Sequence, residues 1–123
     1  MATILLLGLE NDLADQLSGV LRKLDHEVET SASIQSAIPR RGIDMIFVGG
    51  DGPDYRRTVR RLTNSRPDLP VIIVNRLPDN TRWLDALELG AADYCGAPFE
   101  TRQVHWLVDS VRRRAATPVV AAA

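Results

Sequence analysis

Cysteine is almost missing from this chain. Cys95 is the single one among 123 residues, which excludes an internal disulfide framework and any zinc site built on cysteines. Long apolar runs are missing too. Stretches such as Ile4–Leu7 and Val71–Val74 are far too short to cross a bilayer. No basic stretch leads into an apolar core at the start, so a cytoplasmic protein with no membrane partner is expected. Neither sign of charge prevails: 15 Lys and Arg stand against 16 Asp and Glu, a net charge of −1. That balance removes any global pull toward nucleic acid or membrane, and a nucleic-acid partner is not expected. Only Lys23 is lysine; the other basic residues are arginines. His26 and His105 have no metal-ligand spacing to another ligand, so no metal is expected, and both rings read as solvated.

What is present is ordinary globular composition, 45% hydrophobic and 25% charged, in a length suited to one domain. Residues 3–8 form a short, nearly all-apolar run, as do 44–49 and 71–74. Such runs fit strands buried on both faces of a parallel sheet. Residues 27–30 and 92–95 complete five predicted strands. Asn11 reads as the N-cap of a first helix whose Leu13, Leu17, Val20, Leu21 and Leu24 form one stripe. Helices are further predicted at 33–38, 55–64, 80–89 and 101–114, with Gly90 as a C-cap. Tyr55, Val59 and Leu62 face inward in the third helix, with Arg56, Arg57, Arg60 and Arg61 outward. Five β-α units imply an α/β fold, a doubly wound parallel sheet with its site at the carboxyl ends of the strands. The domain is expected over residues 1–114 and a flexible tail over 115–123.

Three segments carry a resemblance: IDMIFVGGDGP at 43–53, LPVIIVN at 69–75 and ALELGAADYCGAPF at 86–99. Together they resemble the response-regulator receiver domain over residues 3 to about 114. Gly90, Ala91, Asp93, Tyr94, Pro98 and Phe99 stand in register with the most specific stretch. The resemblance implies the flavodoxin-like strand order 2-1-3-4-5, with helices one and five on one face and two to four on the other. It also implies a cis Ala97–Pro98 bond and a place in two-component phosphorelay signalling. A receiver phosphorylates an aspartate with the help of Mg²⁺, an acidic pair, a Thr or Ser, and a Lys. Carried over residue by residue, the acidic pair becomes Gly8 and Leu9, the acceptor Gly49, the Thr or Ser Asn75, and the Lys Ala97. Carboxylate, metal and lysine chemistry all lose their side chains at these positions. The chain resembles a degenerate pseudo-receiver: not an enzyme, with no cofactor and no catalytic residue.

Glu10, Asp12, Asp51 and Asp54 lie close to the lost site and read as solvated loop or helix-entry acids, Asp12 favourably placed at a helix N-terminus. Two alternatives stay open: phosphorylation at Asp51, and a small ligand at the Gly49–Pro53 turn. Cys95 reads as a small core hydrophobe. On the last helix Val104, Leu107, Val108 and Val111 share the inner face, which turns Trp106 outward. On the fourth helix Trp83 falls at the edge of an inward Leu84/Leu87 stripe, with Leu89 turned elsewhere. The expected function is phosphorylation-independent protein–protein contact, or self-association, through the fourth helix, fifth strand and fifth helix. Trp106 would be central, with Trp83, Leu89, Tyr94, Arg102 and Arg113 around it.

Overall fold

The structure, a computed structural model, describes residues 1–77 and 80–116. The elements alternate: β1 (Thr3–Leu7), α1 (Asn11–Lys23), β2 (Glu27–Ser31), α2 (Ile34–Ala37), β3 (Met45–Gly49), α3 (Tyr55–Ser65), β4 (Val71–Asn75), α4 (Asn80–Glu88), β5 (Asp93–Gly96) and α5 (Thr101–Ala116). All four strand pairings are parallel, in the order β2-β1-β3-β4-β5. This is the doubly wound sheet expected from the β-α alternation, in the flavodoxin-like order that the resemblance implies. The Ala97–Pro98 peptide is cis, as the resemblance implies. No helix among the described residues is long and apolar enough to cross a membrane.

The sheet divides the core in two because successive side chains point to opposite faces. Leu5, Leu7, Ile46, Val48, Val71 and Ile73 face α2, α3 and α4, where Ala37, Val59, Leu62, Ala86 and Leu89 meet them. Ile4, Leu6, Met45, Phe47, Ile72 and Val74 face α1 and α5, packed by Leu17, Leu21, Val104, Leu107, Val108 and Val111. Helices one and five thus share one face, as expected. Cys95 packs on that side, and burial pushes its thiol up to about 12, so it behaves as a core hydrophobe.

Some expectations need correction. Asn11 is the first residue of α1 rather than its cap; Glu10 holds the N-cap place without a side-chain cap bond. Its side chain is engaged elsewhere, as described below. The last helix runs to Ala116, so the expected tail loses residues 115 and 116, and 117–123 lie outside the described residues. His26 is not solvated. Its half-buried Nδ1 accepts the Ala2 backbone N–H at 3.0 Å. Burial, then the nearby N-terminal, Arg112 and His105 charges, lower its pKa.

The largest correction concerns α4. Ala86 and Leu89 are its core contacts, with Leu89 only 6% exposed, while Trp83, Leu84 and Leu87 are 44%, 54% and 44% exposed. The small Ala86 sits at the sheet, and Leu89, one turn on, packs beside it. The larger apolar residues are left outside.

Candidate functional site

The loops after β1, β3, β4 and β5 meet at the carboxyl edge of the sheet, where a doubly wound fold places its site. Gly49 ends β3, and an ideal Cβ built on it would stand 2.3 Å from the Gly8 carbonyl oxygen and 3.0 Å from the Gly8 carbonyl carbon. Gly8 adopts φ +68°, a conformation that glycine reaches without a Cβ penalty. The β1–α1 loop therefore closes directly onto the acceptor position. No side chain fits at position 49 while that loop stays in place. Gly50 is equally hemmed in, its Cβ position lying 2.6 Å from the Ile73 side chain. Leu9 turns onto the core beside α1 and α5. Ala97 follows β5 and donates its N–H to the Asn75 carbonyl at 3.2 Å.

Charge at the site is organised by a residue that motif reading passed over. Arg76, directly after β4, makes a two-pronged contact with Asp12: Nη1 to Oδ2 and Nη2 to Oδ1, both 2.8 Å. Its Nη2 also donates to Glu10 Oε2 at 2.9 Å. The Arg76 backbone N–H donates to Asp51 Oδ2 at 2.9 Å, and the buried Asn75 Nδ2 donates to Asp51 Oδ1 at 3.0 Å. Three of the four acids near the site are thus engaged by the β4–α4 junction rather than simply solvated. Asn75, at the place of the receiver's Thr or Ser, is thus partnered by Asp51.

The fork geometry gives this contact more weight than an ordinary exposed ion pair. The guanidinium holds the Asp12 carboxyl down at about 2, and the two carboxylates raise the Arg76 pKa. The arrangement does not fit a divalent cation: a fixed positive group already stands against both acids. Among the described residues no group of three or more His, Cys, Asp or Glu is placed to hold a metal ion. A cleft of about 370 Å³ opens beside the site, lined by Gly8, Ser33, Gly49, Asp54 and Tyr55 among others. It offers an exposed acid and no basic side chain, so it does not suit an anion.

The residues expected at a contact surface lie on the far edge of the sheet. Trp106 is 62% exposed and lines, with Tyr94, Phe99, Arg102 and Leu107, a mostly apolar groove of about 480 Å³ between β5 and α5. Arg113 lies two turns along the same stripe of α5 and pairs with Asp109 at 3.2 Å. Trp83 belongs to the exposed set, but Leu89 does not, since its side chain is in the core. The exposed apolar residues of α4 besides Trp83 are Leu84 and Leu87. Asp85 faces α3 through Arg56 at 3.2 Å and the Tyr55 hydroxyl at 3.5 Å. Trp83 and Leu87 each lie about 160° round the helix from Asp85, on the flank away from α3.

The chain is similar to known signalling proteins. It is 31% identical over 124 residues to the sensory transduction protein RegX3 of Mycolicibacterium smegmatis, covering 94% of this chain and 53% of that protein. It is 30% identical over 119 residues to the response regulator protein FleR of Pseudomonas aeruginosa, covering 93% of this chain and 24% of that one. The chain thus spans about half or less of the length of these relatives. Among solved structures, a response regulator from Thermotoga maritima matches with TM-score 0.80 at 21% identity, covering 92% of this chain and 98% of that one. A two-component response regulator from Clostridium difficile matches with TM-score 0.78 at 20% identity, covering 95% and 100%. That likeness is one of fold. No family model matches the chain.

Proposed function

We propose that this chain is a response-regulator receiver domain that has lost phosphoryl chemistry and signals through fixed protein–protein contacts. The observation that carries the reading is the closure at Gly49, where a Cβ would stand 2.3 Å from the Gly8 carbonyl oxygen. The acceptor cannot be supplied by a side chain at that position while the loop stays where it is. The Arg76 contact supports the same reading, because it gives the neighbouring acids a permanent cation from within the chain. With no phosphate to shift a conformational population, partners read one standing surface.

That surface is the α4, β5 and α5 edge, centred on Trp106 and its groove, with Tyr94 and Arg102 beside it. On α4 it includes Trp83, with Leu87 and Leu84 in the place expected of Leu89. Exposed Trp and Leu side chains around an apolar groove suit the buried centre of an interface, with Arg102 and Arg113 as its polar rim.

Two measurements test the reading. Incubation with acetyl phosphate and Mg²⁺, followed by intact mass, is expected to show no adduct of about 80 Da. A stable adduct on Asp51 would overturn the proposal in favour of an unorthodox phosphoacceptor. Trp106→Ala is expected to leave the melt within about 0.5 kcal/mol of the parent. The same change should weaken self-association, or capture of the cognate partner, by about 2 kcal/mol or more. A large stability loss with unchanged association would remove the surface.

A further inference from the structure

The charges of α3 are arranged against the helix's own interest. In Tyr55–Ser65 it carries four of the fifteen basic residues and no acidic one. Arg56 and Arg57 stand in the first turn, at the positive end of the macrodipole, where cations are disfavoured. Arg56/Arg60 and Arg57/Arg61 are like-charged pairs four residues apart, which repel on a helix surface. Arg56 alone of the four finds an acid among the described residues, Asp85 on α4. Arg57, Arg60 and Arg61 are exposed and form no ion pair with a described residue. Local rules broken without a gain inside the fold point to a partner outside it.

We infer that the Arg57–Arg60–Arg61 face of α3 docks an acidic helix of a partner protein. The guanidinium forks match carboxylates with two parallel hydrogen bonds. Arg57 and Arg61 are offset by about 6 Å along the axis, the spacing that acids at i and i+4 present on a facing helix. A nucleic-acid duplex fits less well. On the α4 side the face is bordered by Asp85, which holds Arg56 at 3.2 Å and would meet the phosphates of a wide duplex. The one aromatic nearby, Tyr55, is half-buried against the core. This face lies across α4 from the Trp83 flank, so it is a second surface, separate from the α4–β5–α5 edge.

The test uses the whole chain and an alanine-based helical peptide carrying Glu pairs four residues apart, read by fluorescence anisotropy at low salt. The triple variant Arg57→Ala/Arg60→Ala/Arg61→Ala is expected to bind about tenfold more weakly, the order expected of three exposed ion pairs. Its melt should match or slightly exceed the parent's, because like-charge repulsion is removed and alanine favours the helix. Binding should fall as salt shortens the Debye length, and Trp106→Ala should bind the peptide as the parent does. Charge exchange keeps the idea falsifiable: Arg57→Glu/Arg61→Glu should lose the Glu peptide and gain a Lys peptide of the same spacing. Equal binding by parent and triple variant would overturn the inference. So would tighter binding of a duplex DNA than of the peptide, which would make the face a phosphate-binding one.

Discussion

Replacing Gly49 by alanine adds one methyl group at the place where a receiver holds its acceptor, and the structure says what that methyl meets. Its position is 2.3 Å from the Gly8 carbonyl oxygen, 3.0 Å from the Gly8 carbonyl carbon and 3.4 Å from Leu9 Cα. All three atoms are backbone, so no side chain can swing aside. An ordinary contact of about 3.4 Å or more requires the β1–α1 loop to retreat by about 1 Å, and overpacking of this kind costs about 1–3 kcal/mol. Against it stands the usual gain from removing a glycine in regular structure, about 0.5–1 kcal/mol. The net expectation is a loss of up to about 2.5 kcal/mol, about 1 kcal/mol at mid-range, or roughly 5 °C in Tm for a domain of this size. Gly19→Ala is the matched comparison. That residue lies within α1, a Cβ there meets nothing within 4 Å, and the change should stabilise by about 1 kcal/mol. Thermal melts of the two variants should move in opposite directions. A Gly49→Ala protein as stable as the parent, or more so, would mean that the loop has room to spare. The closure argument would then fail.

Three further expectations follow from single contacts. Leu89→Ala should destabilise by about 2–5 kcal/mol by leaving a core cavity, whereas Leu84→Ala should stay within about 0.5 kcal/mol; chemical denaturation of both checks the corrected face of α4. Arg76→Ala should return the Asp12 carboxyl from about 2 toward its ordinary value of 3.8, read by carboxyl-carbon NMR titration. Because the folded Asp12 pKa is depressed, its contribution to stability is present above the ordinary value and lost as pH falls toward about 2, and this dependence should vanish in the variant. His26 is likewise held below its ordinary pKa, so the unfolded chain binds the proton more readily. Its contribution is therefore intact above pH of about 6.5 and lost as pH falls below it; denaturant midpoints between pH 7.5 and 5 (about one unit or more either side of that value) should slope less in His26→Asn.

The residues show why some of this was legible in sequence and some was not. A strand buried on both faces leaves an unbroken apolar run, so Ile4–Leu7 and Val71–Val74 announced a parallel sheet. On α1, α3 and α5 the apolar residues fall on one side, and the wheel alone located the core. On α4 it did not, because Trp83, Leu84, Leu87 and Leu89 surround most of the helix and only the sheet decides which of them goes in. It took Ala86 and Leu89. Arg76 was invisible for another reason: its partners Asp12 and Glu10 lie 64 and 66 residues away. No local pattern announces such a pairing. Sequence likewise showed that Gly49 lacks a carboxylate, but only the fold brings the Gly8 carbonyl against it.

The residues at the carboxyl edge are physically coupled. Gly8 at φ +68° lets the first loop turn onto β3, and Gly49 leaves the space into which it turns. That loop leads into Glu10 and Asp12, which Arg76 draws toward the β4–α4 junction, and Asp51 fastens the same junction from the β3 side through Asn75 and the Arg76 N–H. Space and charge are therefore settled together. A carboxylate restored at position 49 would meet backbone before it met a cation, and a cation brought to Glu10 and Asp12 would have to displace a guanidinium held by both. In the proposed reading the carboxyl edge is closed as a unit, and binding falls to the exposed faces of α3, α4 and α5, which share none of these contacts.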